Sequence, residues 1–153
     1  MRILFLLPYV PSLIRVRPYN LIRGLAGRHE VVVLAISAGG ERSDPETIRS
    51  LGCTVEVLTL KRRASLRNCA AAAARGEPLQ SAFCWSPELV DRVQRTIGNS
   101  HFDVVHIEHL RAAHLGACVP IHLATVYDAV DCISLLLQRT LATSHSLYQR
   151  VIA

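Results

Sequence analysis

The feature that most constrains this chain is the alternation of short, unbroken aliphatic runs with longer segments of helical pattern. An aliphatic run without polar alternation is typical of a β-strand that is covered on both faces. Strands separated by helical segments predict a parallel sheet with right-handed crossovers. We therefore predict an α/β fold, a doubly wound parallel, Rossmann-like sheet with strand order 3-2-1-4-5. The predicted strands are residues 3–7, 31–36, 54–60, 102–107 and 121–127.

Turn and capping residues mark the helices between these strands. Pro18 fits the first turn of a helix that ends at Gly27 and carries Leu21, Ile22 and Leu25 on its apolar face. A capping-box pattern beginning at Ser43 opens a second helix, which ends at Gly52. Further helices are predicted at 65–75, 86–97 and 109–115, with a break over 76–81 and a last helix from Asp131 onward.

Size and composition limit the class of protein. A chain of 153 residues corresponds to one domain, and 50% hydrophobic with 19% charged residues excludes a disordered segment. The five cysteines are odd in number and widely spaced, which favours buried thiols in a reducing compartment over a disulfide framework. The sequence holds no apolar run of about 18 residues, so no membrane span is predicted. We therefore predict a cytoplasmic protein.

The sequence stops at residues 150–153, within a helical pattern and without a cap or a polar tail. We therefore expect the chain to be a truncated piece of a longer protein, in which a sixth strand and a second domain follow.

Ligands of such sheets bind beyond the carboxyl ends of the strands, near the point where the strand order reverses. This rule selects four segments in advance: residues 8–17, 37–41, 108–111 and 128–134.

The first of these segments lacks both the G-x-G-x-x-G and the G-x-x-x-x-G-K-[ST] patterns, which disfavours a dinucleotide site or a P-loop. It offers Tyr9, Ser12, Arg15 and Arg17 instead, leading into a helix N-terminus. Free backbone amides and two arginines favour a bound anion such as a phosphate. The alternative is that both arginines only solvate the loop.

The fourth predicted strand ends with polar side chains. His106 and Glu108 lie on one face because side chains alternate along a strand. We interpret His106 as a hydrogen-bonded core residue and place Glu108 and His109 at the open end. A metal site that also used His114 would not match H-E-x-x-H, so no metal is predicted.

The fifth predicted strand is followed by Asp128 and Asp131, whose carboxylates could accept hydrogen bonds from sugar hydroxyls. The alternative for Asp131 is that it caps the last helix.

A basic segment follows the third predicted strand and contains Lys61, Arg62, Arg63 and Arg67. The whole chain carries 17 basic and 12 acidic residues, a formal charge of +5, which favours anionic partners. The segment could contact an anionic membrane surface or could be a solvated helix start. Nucleic acid is not predicted as a partner because no aromatic residues are interleaved for base stacking.

Several segments together resemble the N-terminal domain of bacterial GT-B glycosyltransferases, in particular the retaining, family-four-like sugar transferases of exopolysaccharide gene systems. They are MRILFLLPYVP at 1–11, RPYNLIRGL at 17–25, HEVVVL at 29–34, FDVVHIE at 102–108 and DAVDCIS at 128–134. The likeness covers essentially the whole chain, and the order and spacing of the segments carry it.

This resemblance implies a two-domain enzyme that moves sugar from a nucleotide sugar to a carbohydrate or lipid-linked acceptor in polysaccharide biosynthesis. Residues 1–153 would be a single acceptor-side domain, and the donor-binding domain would lie beyond Ala153, so this chain alone should not catalyse transfer. No cofactor or metal is implied apart from the nucleotide-sugar donor.

The resemblance also assigns roles to residues. Glu108 and Asp128 are predicted to be catalytic, although the family often has His at the position of Glu108. The residues predicted to bind the acceptor are Tyr9, Ser12, Arg15, Arg17, His109 and Asp131. The alternative is a self-contained, non-catalytic α/β module that binds a small anion. A nucleotide-dependent oxidoreductase would lack the glycine fingerprint.

Overall fold

A computed structural model describes residues 1–38 and 44–132, together with residues 135, 138, 139 and 142. Its five strands form one all-parallel sheet in the order β3-β2-β1-β4-β5. The strands are β1 (Arg2–Leu7), β2 (Glu30–Ala38), β3 (Thr54–Leu60), β4 (Val104–Glu108) and β5 (Ala124–Asp128). The predicted α/β class, the doubly wound Rossmann-like sheet and the strand order are confirmed.

Helices connect the strands close to the predicted positions. They are α1 (Val16–Ala26), α2 (Glu46–Arg49), α3 (Arg62–Ala74), α4 (Leu79–Phe83), α5 (Pro87–Asn99) and a 3₁₀ helix (Leu110–Cys118). The predicted break over 76–81 is only partly right, because α4 begins within it. Gly76, with a φ of +67°, provides the turn between α3 and α4.

Two predicted helix features fall wholly or partly on residues that the structure does not describe. The capping residue Ser43 is one of them. Among the described residues, the Asp44 side chain accepts a hydrogen bond from the Glu46 N–H at 3.0 Å. Most of the predicted last helix after Asp131 also lies outside the described residues.

The central strands of the sheet are covered on both faces, and alternate residues of each of them point to opposite sides. In β1, Leu4 and Leu6 belong to a core with α5 and the 3₁₀ helix, which we call the α5 face. Ile3, Phe5 and Leu7 belong to a second core with α1 and α2, which we call the α1 face. This arrangement explains why β1 is an unbroken aliphatic run.

The apolar face of α1 differs from its prediction at one residue. Pro18 and Ile22, one turn apart, are buried, and Ile22 has no exposed surface. Leu21, expected on the same face, is 38% exposed. A turn of 100° per residue carries Leu21 away from the sheet once Ile22 faces it.

These neighbouring positions give a matched test of the core on the α1 face. We expect Ile22→Ala to lower the free energy of unfolding by about 2–5 kcal/mol, because it leaves a cavity between α1 and the sheet. Leu21→Ala should change it by about 0.5 kcal/mol or less. Urea unfolding of both variants measures the difference, and equal losses would contradict this packing of α1.

Candidate functional site

The strand order brings a specific set of side chains to one end of the sheet. The chain lays down β1, β2 and β3 in one direction and then crosses to β4 and β5, so the winding reverses between β1 and β4. Tyr9 follows the end of β1, and Glu108 ends β4 opposite Asp128 of β5. The edge cluster, as we call it, consists of Tyr9, Arg15, Arg17, Glu108 and Asp128.

A buried hydrogen bond forms the floor of this cluster. The Tyr9 hydroxyl donates to Glu108 Oε1 at 2.6 Å. Glu108 is 1% exposed and Tyr9 7% exposed, so neither is open to solvent. Glu108 Oε2 is shielded and has no hydrogen-bond partner among the described residues. Glu108 was expected at the open end of its strand; the structure places it beneath Tyr9, and direct contact with a ligand would require Tyr9 to move.

Burial governs the ionisation of both groups. Desolvation raises the pKa of Glu108, and the hydrogen bond from Tyr9 offsets this only in part. Desolvation and the Glu108 carboxyl also raise the pKa of Tyr9. Tyr9 therefore remains a hydrogen-bond donor, and Glu108 holds a proton at a higher pH than an exposed glutamate does.

A second carboxyl group, on the neighbouring strand, has the opposite tendency. Burial alone would raise the pKa of Asp128, but hydrogen bonds from Arg17 and from the Val130 N–H outweigh it and lower that pKa. Arg17 Nε and Nη2 donate to the two oxygens of Asp128 at 2.8–3.0 Å. Asp128 is therefore ionised and held in position by Arg17, on the strand beside Glu108, whose pKa is shifted in the opposite direction.

The Arg17–Asp128 pair qualifies the predicted role of Arg17. The arginine side chain is 62% exposed, yet its Nε and Nη2 donate to Asp128. An acceptor phosphate at Arg17 would have to compete with this bidentate pair.

Arg15 and Ser12 form the outer wall of the cluster. The Arg15 guanidinium lies 4.0 Å from the centre of the Tyr9 ring, a cation–π contact. The Ser12 hydroxyl oxygen accepts a hydrogen bond from the Arg15 N–H at 3.2 Å. Ser12 thus shapes the turn that places Arg15 over Tyr9.

His109 connects β4 to the cluster through its backbone. Its N–H donates to the Asp128 carbonyl at 2.8 Å, and its Nδ1 accepts from the Arg111 N–H at 3.2 Å. Its φ of +69° is rare for a residue with a side chain. Burial and the neighbouring Arg111 lower the pKa of His109, which favours the neutral imidazole.

The remaining predicted residues lie at different depths. Asp131 is exposed, and its N–H donates to the Ala129 carbonyl at 2.7 Å; the helix that it was expected to cap lies largely outside the described residues. His106 is 8% exposed and packs on Phe5 with ring centres 4.8 Å apart, which confirms it as a core residue. Its Nε2 is buried and has no hydrogen-bond partner among the described residues, so the predicted hydrogen bonding is not found at that atom. Among the described residues, no group of three or more His, Cys, Asp or Glu side chains is placed to hold a metal ion.

Arg111 lies within the predicted segment 108–111 but received no role there; in the structure it ties this end of the sheet to α4. Its Nε donates to Gln80 Oε1 at 2.8 Å, and its guanidinium lies 5.1 Å from the centre of the Phe83 ring. Its position, three residues after the end of β4, is the sequence feature that predicts a side chain at this end of the sheet.

The predicted basic segment lies at the start of α3. Lys61, Arg62, Arg63 and Arg67 are exposed, and Leu66 between them is 57% exposed. No helix in the described part of the chain is long and apolar enough to cross a bilayer.

The raised pKa of Glu108 gives a prediction about stability. As the pH rises above the ordinary glutamate pKa, the unfolded chain releases this proton before the folded chain does, so the free energy of unfolding falls. Glu108→Gln removes the titration and keeps an oxygen that can accept from Tyr9. We expect the variant to gain free energy of unfolding relative to the parent as the pH rises through this window.

Urea unfolding at a series of pH values measures this difference. Glu88→Gln, at an exposed glutamate of α5, is the control and should show no such trend. A difference between Glu108→Gln and the parent that stays constant with pH would contradict the assigned pKa direction.

Comparison with known proteins leaves the family open. No model of a known protein family matches the chain, and no curated protein sequence matches it. Among solved structures, the chain is similar to one described as a predicted subunit of tRNA methyltransferase from Methanocaldococcus jannaschii, with 13% sequence identity and a TM-score of 0.36. The match covers 69% of this chain and 52% of that chain, so the chain spans about half the length of that structure. A likeness this weak carries no argument about function.

Proposed function

We propose that this domain binds the acceptor of a GT-B-like glycosyltransferase, which moves sugar from a nucleotide sugar to a carbohydrate or lipid-linked acceptor. The observation that supports the proposal most is the edge cluster at the reversal of strand order, where open α/β sheets bind ligands. The sequence resemblance to GT-B transferases supplies the reaction class. The donor site belongs to a second domain of the intact enzyme.

The two carboxyl groups of the cluster support a reaction that moves a proton. Neighbouring carboxyls whose environments shift their pKa values in opposite directions are the usual arrangement for divided acid and base roles. Here the pKa of Glu108 is raised by burial and that of Asp128 is lowered by Arg17 and Val130.

Asp128 is the carboxylate that an acceptor reaches, since its side chain is 18% exposed whereas Glu108 is 1% exposed. In the transfer, the acceptor hydroxyl oxygen bonds to the anomeric carbon of the donor sugar. The bond from that carbon to the nucleotide phosphate breaks, and the phosphate leaves with the electron pair. Both oxygens of Asp128 already accept from Arg17, so Asp128 accepts the hydrogen bond, and then the proton, of that hydroxyl once a hydrogen bond from Arg17 is released.

Glu108 acts from below the surface in this proposal. It holds the Tyr9 hydroxyl, and Tyr9 in turn supports the Arg15 guanidinium. Arg15 and His109 then line the path of the acceptor. A direct catalytic role for Glu108 stays a prediction that depends on movement of Tyr9.

The alternative, a non-catalytic module for a small anion, receives less support from the same contacts. Arg17, one of its two proposed anion ligands, forms a bidentate pair with Asp128.

Calorimetric titration of the full chain with two probes tests the proposal. The probes are N-acetylglucosamine linked to a short prenyl diphosphate, as acceptor, and UDP-glucose, as donor. We expect the acceptor probe to bind saturably, and Asp128→Asn to weaken its binding about tenfold, because hydrogen bonds to charged groups are the stronger ones.

Asp91→Asn is the matched control, because Asp91 is an exposed aspartate of α5 that also pairs with an arginine, Arg95. It should leave binding unchanged. If Asp128→Asn weakened UDP-glucose binding and spared the acceptor probe, the cluster would be a donor site and the proposal would be wrong.

We also propose that the basic segment of α3 contacts anionic lipid, which would bring a lipid-linked acceptor to the domain. Four exposed basic side chains surround the exposed Leu66, and each such charge contributes about 1 kcal/mol near acidic lipid. These residues lie at the start of α3, which follows the carboxyl end of β3. The edge cluster lies at the carboxyl ends of other strands of the same parallel sheet.

Flotation with vesicles containing phosphatidylglycerol tests this contact. We expect Arg62→Glu combined with Arg63→Glu to abolish flotation and added salt to weaken it. The control, Arg23→Glu combined with Arg28→Glu, makes the same change in charge at exposed positions near the C-terminal end of α1 and should still float. Equal flotation of both double variants would refute the assignment.

A further inference from the structure

The loop between β1 and α1 holds two aliphatic side chains out in solvent at the carboxyl end of the sheet. The loop first runs inward, since Tyr9 and Val10 are only 7% and 6% exposed. It then turns outward, and Leu13 and Ile14 are 72% and 92% exposed. We call Leu13 and Ile14 the loop tip. Because the same loop buries an aliphatic residue three positions earlier, the exposure belongs to the tip and not to the whole loop.

A hydrogen bond gives the loop tip a defined shape. The Ser12 hydroxyl oxygen accepts from the Arg15 N–H at 3.2 Å, which closes a tight bend with the two residues of the tip between its ends. Tight connections usually carry glycine, proline, asparagine, aspartate or serine at such positions, because these residues suit the backbone of a turn. Local structure therefore does not explain two aliphatic residues here, whereas a partner that removes them from water does.

Positively charged side chains lie next to the loop tip. Arg15 follows it directly, and its guanidinium lies over the Tyr9 ring. Arg17, which pairs with Asp128, comes directly after Val16, which is itself 49% exposed. At the same end of the sheet, the basic segment of α3 places four exposed cations around an exposed leucine. Two separate segments at the carboxyl ends of strands thus combine exposed aliphatic and positively charged side chains.

This combination matches the interface of an anionic bilayer better than it matches the surface of a protein. At a bilayer, aliphatic side chains enter the acyl boundary while lysine and arginine side chains remain among the phosphate groups. A protein partner would have to supply apolar side chains for the tip and a carboxylate for each guanidinium. Exposure alone is not sufficient: Ile121 is fully exposed before β5, at the opposite end of the sheet, where no lysine or arginine adjoins it in the sequence.

We infer that Leu13 and Ile14 insert into the acyl boundary of an anionic bilayer and hold the edge cluster at the membrane surface. The inference deepens the proposed lipid contact of α3 and rests on it for the direction in which the sheet faces the bilayer. Stable anchoring generally takes two signals, and here the apolar tip and the basic segment supply one each. A lipid-linked acceptor then reaches the edge cluster while its hydrocarbon chain stays in the bilayer.

The fluorescence of a relocated tryptophan tests the insertion. The chain contains one tryptophan, so Trp85→Phe combined with Ile14→Trp reports on the loop tip alone. We expect the emission of this full-length variant to shift to the blue when phosphatidylglycerol vesicles are added, because the indole leaves water. Trp85→Phe combined with Ile121→Trp is the matched control at another highly exposed isoleucine and should show no shift.

Partition into the same vesicles measures the apolar contribution. Leu13→Ser combined with Ile14→Ser should lower the partition of the full chain about tenfold or more, since the burial of one aliphatic side chain is worth at least that factor. Ile121→Ser should keep the partition of the parent. Thermal unfolding of each variant verifies that it is folded.

The inference is overturned if the tip tryptophan shows no blue shift with vesicles, or if the double serine variant binds them as the parent does. It is also overturned if the emission is already shifted without lipid and the chain is a dimer, because a second copy then covers the tip. Flotation of Arg62→Glu combined with Arg63→Glu separates this result from the proposed contact of α3. If the parent floats, this variant does not, and the tip tryptophan shows no shift, the contact of α3 stands and the inference alone is wrong.

Discussion

Burial of the central strands on both faces is the constraint on which the rest of this structure depends. β1 lies between β2 and β4, and its side chains alternate between the α1 face and the α5 face. Because neither face of β1 meets water, helices must cover both faces. Each helical crossover returns the chain to the end of the sheet at which all of its parallel strands begin. The loops after β1, β4 and β5 therefore meet at one end.

Because these loops lie at one end of the sheet, polar side chains come together there, directly beyond the hydrophobic core. Glu108 continues β4 by one residue beyond Ile107, and the alternation of the strand directs it to the side opposite Ile107. There it is buried, and Tyr9 satisfies one of its oxygens. Asp128 is paired with Glu108 in the strand register but lies on the edge strand, where it remains accessible to Arg17. Glu108 and Asp128 are thus register partners in adjacent strands, but the carboxyl group of Glu108 is buried and that of Asp128 is accessible.

Arg111 links the end of β4 to α4. Through its backbone N–H it contacts His109, and through its side chain it contacts Gln80 and Phe83 of α4. The residues of α4 also help to line a cavity beside Trp85 and His114. Arg111 therefore joins His109, at the predicted acceptor side of the domain, to α4.

The sequence by itself determined the sheet, its parallel direction, its strand order and the end of the sheet where polar residues gather. These follow from the period of the aliphatic runs and from the handedness of crossovers, which are local or general rules. Only the tertiary structure decided which polar groups are buried and which are paired. Arg17 and Asp128 are 111 positions apart, and Tyr9 and Glu108 are 99 apart. No local pattern encodes such contacts, because they depend on how helix and strand ends are placed in space. The cavity of Trp85 escaped the sequence for the same reason, since its lining residues belong to separate helices that meet only in the fold.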